Sequence, residues 1–128
     1  MTEDFRKFEA REGYLAARLF GPFTAANNLE HLRAVMEECQ RRGFTKVLFD
    51  TTRESGDMSF LSRFYLGDEA GTFWDRAITI AVFALEEQID RDRFAVKVAQ
   101  NRGILASIFS DENEAVQWLL APSQDHAG

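Results

Sequence analysis

The sequence predicts an α/β domain: a mixed, largely parallel sheet of about five strands, with an N-terminal hairpin and four helices. Two observations carry this. After an opening pair of strand-like segments, apolar runs alternate with stretches of helical periodicity, and such alternation implies crossover connections and parallel pairing. The chain is 128 residues long and 45% hydrophobic, enough to bury a core in one domain. Residues 1–121 read as that domain and 122–128 as a frayed tail.

Taken in order, "FRKFEA" (5–10) and "YLAARLF" (14–20) flank Arg11-Glu12-Gly13, where Gly13 supplies the positive φ of a tight turn. Gly21-Pro22 ends the second strand. Thr24 to Arg42 reads as a helix, with Leu29, Leu32, Val35, Met36 and Cys39 on one stripe. Asn27 with Glu30 has capping-box spacing, and Thr24 is the other cap candidate. Gly43 suits the residue after the last turn. "KVLFD" (46–50) is apolar without alternation, as expected of a strand buried on both faces.

Ser59 to Trp74 reads as a helix with Phe60, Leu61, Phe64, Tyr65 and Phe73 as its inner face, weakened at Gly67 and Gly71. "AITIAVFAL" (77–85) is the next buried strand. Asp90 to Gln100 is the third helix, with Asp90 as its cap and Phe94, Ala95, Val98 and Ala99 turned inward. "ILASIF" (104–109) is the last strand. Ser110 or Asp111 caps a final helix with Val116, Trp118, Leu119 and Leu120, in which Trp118 is expected to bury against the sheet. Pro122 stops it.

Charge and composition exclude several functions. The formal net charge is -6, with no basic cluster denser than Arg41-Arg42, which disfavours nucleic acid or an anionic membrane as partner. The start is charged, and the longest apolar run is far too short for a bilayer, so the expectation is a cytoplasmic protein without an integral membrane segment. The lone Cys39 has no disulfide partner and reads as a small buried apolar residue.

Catalytic motifs are missing too. Asp50 stands at the end of a parallel strand, where ligand sites of open α/β sheets lie. Yet position 52 is Thr, not the second Asp of a phosphoryl-transfer pair, and neither a Walker loop nor a G-x-G-x-x-G run is present. His31 and His126 are the only histidines, and neither has ligand-spaced companions, so no metal or cofactor is expected. His31 reads as a surface or rim residue. No catalytic residue is assigned, and the chain is expected not to be an enzyme.

The hairpin, "NNLEHLRAVMEE", "KVLFDTT", "ITIAVFA", "RFAVKVAQNRG" and above all "IFSDENEAVQWL" (Phe109, Ser110, Asp111, Ala115, Trp118, Leu119) carry a resemblance over about residues 5–121. The chain resembles the SpoIIAA-like STAS fold, and more narrowly the small single-domain bacterial proteins grouped as STAS/SEC14-like. In anti-sigma-factor antagonists of this fold, a D-S-[ST]-G loop before the second helix is phosphorylated and switches partner binding. Here the nearest match is Asp57-Met58-Ser59-Phe60, with Met and Phe replacing the small residue and the Gly, and Ser55-Gly56 inserted. Some relatives bind lipid-like or nucleotide ligands.

The stretch from Asp50 to Ser59 therefore has three readings. It is a capped turn, a switch in which Ser55 or Ser59 takes a phosphate near Arg53, or a ligand loop in which Asp50, Thr51, Thr52, Arg53, Ser55, Asp57 and Ser59 hold a polar head group. Phe60, Phe64, Tyr65, Phe73 and Trp74 would supply an apolar pocket or a partner surface. The leading expectation is a non-enzymatic regulatory or protein-interaction module, with a homodimer among its partners. The alternative is a small carrier or sensor of an apolar or lipid-like ligand bound under the second helix.

Overall fold

A computed structural model of the chain describes residues 5–122. Strand β1 (Arg6–Arg11) pairs antiparallel with β2 (Tyr14–Pro22) across a two-residue turn in which Gly13 takes φ 90°. Strands β3 (Lys46–Ser55), β4 (Thr79–Phe83) and β5 (Ala106–Phe109) follow β2 in parallel, and the order across the sheet is the order of the sequence. Each crossover thus advances the chain one strand the same way. With right-handed connections this stacks the three crossover helices on one face.

Those helices are α1 (Ala25–Arg42), α2 (Phe60–Phe73) and α3 (Phe94–Asn101), and a single 3-10 turn (Glu86–Gln88) precedes α3. Leu15, Leu19, Val47 and Phe49 of the sheet pack with Val35, Cys39 and Ala70 in the main core. The Cys39 thiol is buried there, and burial pushes its pKa up to about 12, which suits a packing residue rather than a nucleophile. The opposite face is covered by α4 (Glu112–Leu120), whose Ala115 and Leu119 meet Tyr14, Ala16, Leu48 and Ala81.

Several elements differ from expectation in instructive ways. Thr24 caps α1 by accepting from Asn27 N, whereas the Asn27 amide donates to Pro22 O at 2.9 Å. Helix α2 is unbroken at Gly67 and Gly71. Both glycines are points of contact: a Cβ on Gly67 would lie 2.6 Å from Ala95 O and 2.9 Å from Val98 Cβ, and one on Gly71 would meet the Arg102 side chain. Asp90 does accept from Phe94 N, but α3 starts only at Phe94. Asp111 caps α4, and Trp118 is half-buried, packed on Phe109 with ring centroids 5.7 Å apart. Leu119 is the fully buried anchor, because Ala115 and Leu119 make the central stripe and Trp118 falls on its flank. No helix among the described residues is long and apolar enough to cross a membrane. His126 and nearly all of the expected tail lie outside the described residues.

Candidate functional site

The stretch expected to be a loop from Asp50 onward is strand as far as Ser55. It stays in the sheet because β2 also runs on, through Phe20, Gly21 and Pro22, and gives it a partner. The pairing shifts on the way. Arg18 is opposite Asp50, but Phe20 is opposite Arg53, so two steps along β2 match three along β3. The extra residue is a bulge, and it changes which side chains face which layer. Val47, Phe49 and Thr51 face the crossover helices by simple alternation; after the bulge the helix-facing residue is Glu54 instead of Arg53.

The seven polar residues of this stretch therefore do not converge. Asp50 is buried beside α4, where Arg18 Nη1 donates to its Oδ2 at 2.5 Å and Thr52 donates to its Oδ1 through both N and Oγ1. Arg53 pairs with the same carboxylate at 3.3 Å, and Arg18 reaches Glu112 at 3.4 Å. Thr51 faces the other layer and donates to Gln88 Oε1 at 3.1 Å. Ser55 is exposed at the strand end and its carbonyl accepts from Phe23 N. Only Asp57 and Ser59 mark the start of α2. Ser59 is exposed and caps the helix, its Oγ accepting from Ser62 N at 3.1 Å. The guanidinium near this helix start is Arg63, not Arg53. Arg63 pairs with Asp57 at 3.3 Å and Asp90 at 3.5 Å.

Helix α2 is turned over relative to the expected orientation. Its buried residues are Arg63, Gly67 and Ala70. Phe60 is 61% exposed, Leu61 75%, Phe64 43% and Tyr65 51%. Phe94 of α3 backs this patch, stacked on Phe60 at 4.5 Å and tilted against Phe64 at 6.0 Å. Small residues let α2 sit close to α3, and that leaves no room inward for rings. Trp74 is buried and donates from Nε1 to Ile78 O, and Phe73 lies under the Arg33 guanidinium at 3.9 Å.

A cavity of about 110 Å³ does lie beneath α2, but none of Phe60, Phe64, Tyr65, Phe73 or Trp74 lines it. Its apolar wall includes Phe49, Ile80, Val82, Leu66 and Ala99. Its polar groups are Asn28, Thr51, Arg63 and Gln88. Gln88 is fully engaged: Oε1 accepts from Thr51 Oγ1 and Leu85 N, and Nε2 donates to Thr51 O and Glu54 O. Arg63 is engaged likewise, donating from Nε to Met58 O and from Nη1 to Gln88 O.

Beside the cavity is a buried polar pair that sequence reading places elsewhere. His31 is fully buried, not on the surface. Arg6 donates to its Nδ1 at 3.0 Å, and its Nε2 is aimed at Phe20 O at 3.2 Å. Glu54 Oε2 also lies 3.2 Å from Nε2, but off the hydrogen-bond direction, and both Glu54 oxygens lack an aligned donor. Burial drives the Glu54 carboxyl above its ordinary 4.5; His31 and Asn28 pull it back, and Asp50 adds a smaller push upward. The signal for His31 was present in α1, where it falls with Asn28 on the same stripe as Val35 and Cys39.

No family model matches the chain, and no curated protein matches it. Among solved structures it is similar to an uncharacterised protein of the DUF3478 family with a SpoIIAA-like fold from Shewanella loihica. The two share 19% identity over 89% of this chain and 91% of that one, with a TM-score of 0.54. At this identity the likeness shows the fold, and the chain has the SpoIIAA-like α/β fold.

Proposed function

We propose that the protein is a non-enzymatic regulatory module that docks a protein partner through the exposed N-terminal half of α2. The observation that carries this reading is the patch of Phe60, Leu61, Phe64 and Tyr65, which shares one helix face and is supported from behind by Phe94. Exposed aromatic surface of this kind is costly in water and marks interfaces. Its apolar area is on the order of 400 Å², the size of a functional patch on a monomer. That is well below the roughly 800 Å² per partner of a standard stable complex, so the reading favours a transient partner over an obligate homodimer.

The polar groups at the strand ends support a binding rather than a catalytic role. Asp50, Arg18, Thr51, Gln88 and Arg63 are all consumed in internal pairs. Ser59 supplies the regulatory element of the proposal. It is exposed one residue before the patch, and a phosphate there would meet the N-terminal amides of α2 and place charge beside the rings.

The test is photo-crosslinking from a benzophenone amino acid at position 61 or 65, with position 41 as control, in cells that naturally make the protein. One discrete heterologous adduct from both patch positions, lost on Phe64→Asp, supports the reading. Adducts equal to two copies of the chain, or none, would overturn it.

A further inference from the structure

We propose that the cavity between the sheet and helices α1–α3 binds a small, neutral, largely apolar molecule that carries one hydrogen-bond donor, received by Asn28 Oδ1. Three observations combine. The cavity holds about 110 Å³ and its walls are almost wholly apolar. An engineered apolar cavity of about 150 Å³ admits benzene, so this smaller one suits a compound of about four or five non-hydrogen atoms. That is too little for a nucleotide or a long acyl chain.

The second observation is a polar atom without a partner. Asn28 lines the cavity and is 2% exposed, its Nδ2 donates to Thr24 O at 3.0 Å, and its Oδ1 has no hydrogen-bond partner in the protein. A shielded, unsatisfied carbonyl is costly, and a ligand donor would relieve that cost.

The third observation sets the ligand's charge. The other polar groups of the wall are spent: Thr51 on Gln88, Gln88 on backbone carbonyls, and Arg63 on Met58 O, Gln88 O and the Asp57 carboxylate. No cationic group of the wall is left to receive an anion, and the rest of the lining is apolar. The chemistry that fits is a hydroxyl or N–H on a compact apolar body, with short branched alcohols as the class.

Isopropanol and isobutane are matched probes, since they differ in the donor and hardly in shape. Titration of the intact, isotope-labelled protein, followed by amide and methyl shifts, reads binding at the wall residues directly. Isopropanol is expected to bind about tenfold more tightly than isobutane, a ratio typical of one buried hydrogen bond. Acetate, of the same size but charged, should not bind. Asn28→Leu should erase the preference for isopropanol and leave isobutane binding in place. Ala70→Leu, which fills the cavity from α2, should abolish both. The wild-type comparison needs no variant to fold: equal affinity for isopropanol and isobutane, tighter binding of acetate, or shifts confined to residues outside the wall would each overturn the proposal. So would a folded Asn28→Leu protein that still prefers isopropanol.

Discussion

His31 Nε2 and Glu54 Oε2 lie 3.2 Å apart with both side chains fully shielded from solvent, yet the ring N–H is directed at Phe20 O. The carboxylate is thus near a partner without being hydrogen-bonded by it. Because burial raises the Glu54 pKa in the folded protein, the folded state holds that proton more tightly than the unfolded chain does. Stability should therefore fall as pH rises from the ordinary carboxyl value of 4.5 through the raised folded value, and stay lower above it. Glu54→Gln removes this slope. The variant should be more stable than the parent at pH 7, with the gap closing toward pH 4. Parallel stability–pH profiles from urea unfolding would show that Glu54 is not the group responsible.

Ser59 separates capping from signalling. Its Oγ satisfies the Ser62 N–H at the start of α2, so Ser59→Ala should cost about 1 kcal/mol. Asp is an equally good cap, so Ser59→Asp should be near neutral for folding. Under the proposed function, Ser59→Asp should nevertheless weaken crosslinking from position 61. A loss of stability in Ser59→Asp as large as in Ser59→Ala would mean that the hydroxyl does something other than cap.

Gly67 tests the α2–α3 contact. A Cβ there collides with the Ala95 carbonyl, which is backbone and cannot swing aside. Gly67→Ala should cost about 1–3 kcal/mol, although Ala gains roughly 1 kcal/mol over Gly in a helix interior. Amide exchange should speed up first in α3, the shorter of the two helices. A stabilised Gly67→Ala protein would show that the helices separate easily.

Leu119 and Trp118 are neighbours with unequal roles. Leu119→Ala empties a fully buried site and should cost about 2–5 kcal/mol. Trp118 is half-buried and leans on Phe109, so Trp118→Ala should cost less than Leu119→Ala despite the larger side chain. Denaturant midpoints with unchanged m-values would rank the two, and the reverse order would relocate the anchor of α4.

The order of elements was legible because it rests on periodicity, and the apolar stripes of α1, α3 and α4 and the runs of β3 to β5 announce it. The extent of β3 was not. Thr51, Thr52, Arg53, Glu54 and Ser55 look like a loop by polarity, and only their pairing with Phe20–Pro22, a long-range fact, keeps them extended. Helix α2 misled for a different reason. Its rings suggest an inner face, but the stripe that packs is Arg63, Gly67 and Ala70, where small size permits close approach. The buried His31 was missed because a polar side chain on an apolar stripe reads as a rim residue until its partner, Glu54, is known to face it.

The bulge in β3 also determines where the chain tolerates a change of length. In a regular strand, removing one residue reverses the parity of everything beyond it, exchanging core and solvent side chains. Between Asp50 and Arg53 the strand already carries one residue more than its neighbour. Deleting Thr52 would take out that surplus, leaving Thr51 before the cut and Glu54 after it on their present sides. A deletion at Leu48 has no such slack and would send Val47 and Phe49 to opposite layers. The sequence just past Asp50 is thus a joint at which related chains can differ by one residue without refolding either half of the strand.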